Sequence, residues 1–222
     1  MTAGRRRRED AMSTRLSEVL RGFKAPEGVA PAKPVPFEET DEYRRMRRQI
    51  IESRLRKAGL RGTYAEAACA AGEKAYRRAL DGRGTYLWGL PGRGKTYAAA
   101  AAVRMAVMAG WDARLVTAKA LLDAVKAEWD GGEKGTIYRA ERYRLLALDD
   151  LGVERPTEWA METITGLIDA RVASGLPTIV TSNFSLGELR DRWGGMPGMR
   201  IASRLGGACE RIQMGGGDRR LA

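Results

Sequence analysis

The sequence predicts an α/β domain, a parallel β-sheet covered by helices on both faces, and three observations predict it. Strand-like apolar runs alternate with helix-like runs along the body of the chain. A glycine-rich loop, Gly89-Leu-Pro-Gly-Arg-Gly-Lys-Thr96, separates the first strand-like run from a long helix-like one. A later apolar run, Leu145-Leu-Ala-Leu148, leads straight into two aspartates, Asp149 and Asp150.

Taken in order, residues 1–37 read as a basic arm and linker: Arg5 to Arg8, a short helical stretch Ser13 to Arg21, then Pro26, Pro31, Pro34 and Pro36. Residues 38–62 read as a helical segment. Its first turn is acidic (Glu38, Glu39, Asp41, Glu42), apolar Tyr43, Met46, Ile50 and Leu55 follow at near-helical spacing, and Gly59 stops it. Thr63 and Glu66 have the spacing of a capping box for a helix running to Leu80. After the turn Asp81–Gly84 come a strand at Thr85–Trp88, the glycine loop, and an Ala-rich helix at Tyr97–Ala109. A strand Ala113–Thr117, a helix Ala118–Trp129 and a polar loop with Gly131, Gly132 and Gly135 follow. The second half repeats the alternation: strand Leu145–Leu148, helix Glu158–Ala173, strand Thr178–Thr181, helix Leu186–Trp193 and a last strand at Glu210–Met214.

The loop is complete for G-x-x-x-x-G-K-[ST], and the chemistry explains the spacing. Gly89, Gly92 and Gly94 let backbone N–H groups approach phosphate oxygens that side chains would keep away. Lys95 supplies a point charge for the β and γ phosphates, Thr96 a hydroxyl for Mg²⁺, and the following helix its positive dipole end. The expected nucleotide contacts are Gly89, Pro91, Gly92, Arg93, Gly94, Lys95, Thr96 and Tyr97. Asp149, at the end of a buried strand, is placed to hold the metal with Thr96, and Asp150 to polarise the attacking water. The strand Thr178-Ile-Val-Thr-Ser-Asn183 ends in small polar residues, and the Asn183 amide both donates and accepts, so it suits orienting that water. Arg200 and Arg204 stand four apart on one helix face and suit a phosphate bound in a neighbouring subunit.

Composition narrows the class. With 222 residues and 44% hydrophobic content the chain suits one core plus an appendage. Its best apolar stretch, Ala98–Ala109, is broken by Arg104, and no apolar segment follows Arg5 to Arg8, so a soluble cytoplasmic protein without a membrane partner is expected. The absence of histidine removes the commonest general base, which leaves carboxylates, Lys, Arg and a phosphate-bound metal for any catalysis. Cys69 and Cys209 have no C-x-x-C spacing and read as small buried thiols. Charge is uneven: residues 1–80 carry 19 Lys/Arg against 11 Asp/Glu, while residues 81–199 carry 15 of each, so the positive excess lies towards the ends and favours an anionic partner. The tryptophans Trp88, Trp111, Trp129, Trp159 and Trp193 read as core or interface residues rather than base-stacking ones.

The glycine loop, Leu145-Leu-Ala-Leu-Asp-Asp-Leu-Gly152, Thr157-Glu-Trp-Ala160, Thr178–Asn183 and Arg200-Ile-Ala-Ser-Arg-Leu205, in that order, resemble the AAA+ ATPases of the DnaC/DnaI helicase-loader group and their IstB-like transposition relatives. The resemblance covers about residues 63–214 and implies a lidless AAA+ P-loop NTPase domain at 63–222 behind a partner-binding segment at 38–62. It also implies Walker A at Gly89–Thr96, Walker B at Asp149 and Asp150, sensor 1 at Asn183, and an arginine finger at Arg204 or Arg200. The implied activity is Mg²⁺-dependent ATP hydrolysis by ATP-dependent homo-oligomers that bind single-stranded DNA and deliver a replicative helicase. Asp150 departs from the glutamate usual in AAA+ proteins and is a methylene shorter, so slow hydrolysis is expected. Three other readings remain open: an IstB-like helper that binds duplex DNA and a transposase, a nucleotide-gated adaptor with negligible turnover, and a small-molecule kinase, whose lid and acceptor pocket the sequence does not display.

Overall fold

The computed structural model describes residues 40–152 and 157–218. The arm expected at 1–37 lies outside them. The chain divides into two compact units, 1–44 and 45–222. Of the first, only Thr40–Arg44 is described, the start of helix α1 (Asp41–Lys57), where Thr40 Oγ1 accepts from the Tyr43 N–H at 3.2 Å.

In the second unit, after the rest of α1 and a 3₁₀ turn (Gly62–Glu66), come α2 (Ala70–Leu80), β1 (Gly84–Trp88), α3 (Lys95–Met108), β2 (Ala113–Thr117), α4 (Ala118–Ala127) and α5 (Thr136–Arg142). Then follow β3 (Leu145–Leu151), α6 (Glu158–Ala173), β4 (Thr178–Ser182), α7 (Leu186–Trp193), α8 (Gly195–Ala208) and β5 (Cys209–Gln213). The five strands are all parallel, in the order β2-β3-β4-β1-β5. Side chains alternate across such a sheet, and both faces are apolar here. Leu87, Leu145, Ala147 and Ile179 face α2 and α3, whereas Tyr86, Leu146, Leu148 and Val180 face the layer of α4 to α8. Ala98–Ala102 of α3 are all buried, and the absence of bulk beyond Cβ lets this helix lie close to the sheet.

Two elements differ from the sequence expectation. The Thr63/Glu66 spacing builds only the 3₁₀ turn; α2 starts at Ala70, where Cys69 Sγ accepts from the Gly72 N–H at 3.4 Å. Cys69 is therefore a half-buried helix cap, while Cys209 is the buried thiol, its pKa pushed up to about 12 by burial. The polar stretch after α4 also contains helix α5, held at its start by Glu128, whose carboxylate accepts from the Gly135 and Thr136 N–H groups. The sequence boundary at 62/63 falls inside the second unit, because Leu55, Ala58 and Leu60 are buried in the same core as α2 and α3.

One buried cation joins these layers. Arg171 of α6 is fully buried and donates to the carbonyls of Ala140, Glu141, Tyr143 and Pro177 and to Thr178 Oγ1 at 2.7–3.2 Å. Burial lowers its pKa to about 10, which leaves it charged at neutral pH. It closes the C-terminal end of α5, whose last carbonyls have no intrahelical donors.

Candidate nucleotide site

The site lies at the carboxyl ends of the strands. The loop between β1 and α3 turns through three glycines with left-handed φ, Gly89 (143°), Gly92 (79°) and Gly94 (80°), a path that side-chain-bearing residues rarely follow. Two of these glycines also answer close approaches. A Cβ on Gly89 would meet the Met214 carbonyl at 2.6 Å, and one on Gly92 would meet the Asp218 carboxylate at 2.1–2.2 Å. The chain after β5 thus runs directly against the loop, pinned where the Met214 N–H donates to the Trp88 carbonyl at 2.7 Å. Lys95 is 5% exposed, and its ammonium donates to the carbonyls of Gly89 (2.7 Å) and Leu90 (2.9 Å).

The acidic pair sits in a bulge. Leu148 pairs with Val180 and Leu151 with Ser182, so β3 carries one residue more than β4 between those points. In a regular strand, consecutive side chains point to opposite faces. Here Asp150 has φ 57°, a left-handed conformation that Asp tolerates at modest cost, and both Asp149 and Asp150 line one cavity. Thr181 of β4 holds this bulge. Its hydroxyl donates to Asp149 Oδ1 at 2.5 Å and accepts from the Asp150 N–H at 2.9 Å. Thr96 Oγ1 reaches the two carboxylate oxygens of Asp149 at 3.0 and 3.1 Å from the other side. Burial raises the Asp149 pKa against the lowering effect of Thr181, and the neighbouring charge of Asp150 adds to the rise. The Ser182 hydroxyl donates to the Leu151 carbonyl at 2.7 Å, and the Tyr86 hydroxyl to the Phe184 carbonyl at 2.8 Å, which fixes the turn carrying Asn183.

These groups surround a cavity of about 1000 Å³. Of the residues expected from the sequence, it is lined by Pro91, Gly92, Gly94, Lys95, Thr96, Tyr97, Asp149, Asp150 and Asn183. Gly89 and Arg93, though both in the loop, do not line it; Gly89 answers the approach of Met214. Arg200 and Arg204 do not line it either. Both face Asp169 of α6, with Arg204 Nε 2.7 Å from one carboxylate oxygen and Arg200 Nη2 3.5 Å from the other. Their side chains are more than half exposed, so they are available to a second molecule.

Sequence reasoning missed two parts of the site. Thr181 is buried, and its signal was a hydroxyl residue on the strand whose end carries Asn183; recognising it required knowing that β4 inserts between β1 and β3. Gly59, Thr63 and Tyr64 supply another wall, although their sequence reads as a junction between helices. Among the tryptophans, Trp193 is buried, but Trp129 is 68% exposed and meets Trp159 edge-on at 5.3 Å, with Lys126 5.0 Å over the Trp159 ring.

The residues fit a nucleotide triphosphate with a metal. The left-handed glycine turns let backbone N–H groups line the cavity beside Lys95, which brings a buried positive charge. Thr96 and Asp149 offer adjoining hard oxygen donors. No group of three or more His, Cys, Asp or Glu able to hold a metal occurs among the described residues. Two protein donors completed by phosphate and water are what Mg²⁺ commonly takes.

This fold and site define an AAA+ P-loop nucleotide-binding domain. The match to IstB-like ATP binding protein covers residues 81–222, and the chain belongs to that family. It is 29% identical over 119 residues to the replicative helicase loader DnaI of Bacillus subtilis, a match covering 53% of this chain and 38% of DnaI. The chain thus spans well under half the length of that relative. The crystal structure of the DnaC helicase loader aligns with a TM-score of 0.57 at 24% identity, over 70% of this chain and 100% of that one. The replication initiator DnaA bound to AMPPCP and single-stranded DNA aligns with a TM-score of 0.59 at 19% identity, over 73% and 53%. Among the described residues, no helix is long and apolar enough to cross a membrane.

Proposed function

We propose that this chain binds ATP with Mg²⁺, hydrolyses it slowly, and works as an ATP-dependent homo-oligomer that loads a replicative helicase onto single-stranded DNA. The observation that carries the ATPase reading is the convergence of Lys95, Thr96, Asp149, Asp150 and Asn183 on one cavity, with Thr181 bridging the two acids. The loop N–H groups and Lys95 bind and orient the triphosphate. Thr96 and Asp149 would hold Mg²⁺, which when bound would neutralise charge at the phosphates. Asp150 accepts a hydrogen bond from the attacking water and aligns it, and Asn183 fixes that water from the neighbouring strand. Arg204 or Arg200 of an adjoining subunit stabilises the charge that develops during transfer.

The loader role is supported by the likeness to DnaI, and the DNA role by the net charge of +11 and the exposed Trp129 beside Lys126. The family match equally favours a second reading, an IstB-like transposition helper with a transposase as partner.

Two variants test the ATPase reading. Lys95→Ala should abolish ATP binding or turnover while the circular dichroism spectrum is kept. Asp150→Asn should retain ATP but cleave it more slowly in single-turnover assays. Parent-rate hydrolysis in both would reject the reading. Preference for single-stranded over duplex DNA, and the protein that co-purifies with the chain in the presence of ATP, separate loader from transposition helper.

A further inference from the structure

At the opposite ends of the strands lies a second cavity of about 640 Å³, between the end of α1, the turn into β2 and the end of α5. Its rim is cationic. Arg54 and Lys57 come from α1, Arg139 and Arg142 from α5, and Asp112 is the acidic residue lining it. Arg144 stands beside it, stacked 3.8 Å over the ring of Trp111, which lines the cavity, and Arg142 stacks 3.5 Å over Tyr138.

Basic residues near helix C-termini ordinarily complement the helix dipole and cap its carbonyls. Most of those carbonyls are taken here by other groups. The Lys57 carbonyl accepts from Arg114 and the Ala58 carbonyl from the Leu115 N–H; those of Arg54, Leu55 and Arg56 accept from backbone N–H groups. The last carbonyls of α5 are taken by buried Arg171. Arg139 is paired with Glu133 at 3.0 Å and donates to the Lys134 carbonyl at 2.9 Å, while Arg142 has Glu141 at 4.0 Å and the Tyr138 carbonyl at 3.5 Å. Arg54, Lys57 and Arg144 have no ion pair among the described residues, and all three are exposed. The remaining charge faces the cavity and solvent. Stacking holds the guanidinium planes of Arg142 and Arg144 on aromatic faces and leaves the N–H edge of Arg144, and the Nη2 and Nε groups of Arg142, to bind phosphate oxygens. A concave, cation-rimmed cavity suits a flexible phosphodiester strand better than a rigid, convex duplex.

We propose that this cavity, at the strand ends away from the nucleotide site, binds the phosphate backbone of single-stranded DNA. The proposal rests on the DNA-handling reading above and assigns that contact to Arg54, Lys57, Arg142 and Arg144. The test uses the full chain and a dye-labelled oligo(dT), with anisotropy titrations across a salt series. Arg54→Gln/Lys57→Gln/Arg142→Gln should weaken binding at least tenfold and reduce the slope of log K against log salt by about 2, at roughly 0.7 per lost phosphate contact. Affinity for a fluorescent ATP analogue should not change. Arg61→Gln/Arg83→Gln/Arg211→Gln removes the same charge from exposed positions that do not line the cavity, and should change the slope much less. An equal fall in both triples, or a parent-like slope in the first, would overturn the site while leaving DNA binding intact. Failure of the parent chain to bind oligo(dT) would sink the DNA reading as well. Equally tight, cavity-dependent binding of a blunt duplex or of oligo(rU), or loss of poly-glutamate binding without loss of DNA binding, would overturn the proposed occupant.

Discussion

Replacing Thr181 with Val removes one hydroxyl from the fully buried centre of the site and changes almost nothing in shape. Two interactions go with it, the bond donated to Asp149 and the bond accepted from the Asp150 N–H. A hydrogen bond to a charged carboxylate contributes about 1.5–3 kcal/mol, and leaving a part-buried N–H unpaired costs about 1–2 kcal/mol. The sum is about 4 kcal/mol, which for a chain of this size lowers Tm by about 8–16 °C. Asp150 is held at φ 57°, and without Thr181 the bulge is free to relax away from that conformation. Hydrolysis should then slow on the order of tenfold at saturating ATP, since about 1.4 kcal/mol of lost alignment is tenfold in rate. Thermal unfolding and single-turnover hydrolysis measure the two effects separately. Thr181→Ser keeps the hydroxyl and should restore most of both. A Thr181→Val protein that melts and hydrolyses like the parent would refute the view that this hydroxyl holds the acidic pair in place.

Arg171→Met keeps length and apolar bulk but strands four carbonyls and the Thr178 hydroxyl; a loss of about 3–5 kcal/mol in urea unfolding is expected, and a change under 1 kcal/mol would contradict the clamp role. Arg204→Ala should cut hydrolysis by on the order of 10³-fold, and mixing it with Lys95→Ala subunits should restore part of the activity; no recovery at any ratio argues against a finger supplied in trans. Asp218→Asn removes a negative charge packed on Gly92, beside the expected phosphate position, and should tighten ATP binding about fivefold, on the order of 1 kcal/mol at an intermediate effective dielectric. Unchanged or weaker ATP affinity in calorimetry would show that this carboxylate does not oppose the phosphates.

The sequence by itself determined the layered α/β class, and it singled out the glycine loop and the adjacent Asp149 and Asp150, because these are local signals. A glycine loop with Lys and Thr between a strand and a helix is read from contiguous residues, and apolar runs of strand length announce a buried parallel sheet. Strand order is not local, and only the tertiary structure placed β4 between β1 and β3, bringing Thr181 against Asp149 and Asn183 to the cavity. The same holds for α5, whose seven residues carry too little periodicity to stand out and whose end is closed by Arg171, about thirty positions away in sequence. The expected cap at Thr63 gave way to Cys69, and of the tryptophans read as core or interface, Trp193 is buried while Trp129 lies exposed. Residue type sets what a side chain is able to do; its burial and partners depend on which distant segments the fold brings beside it.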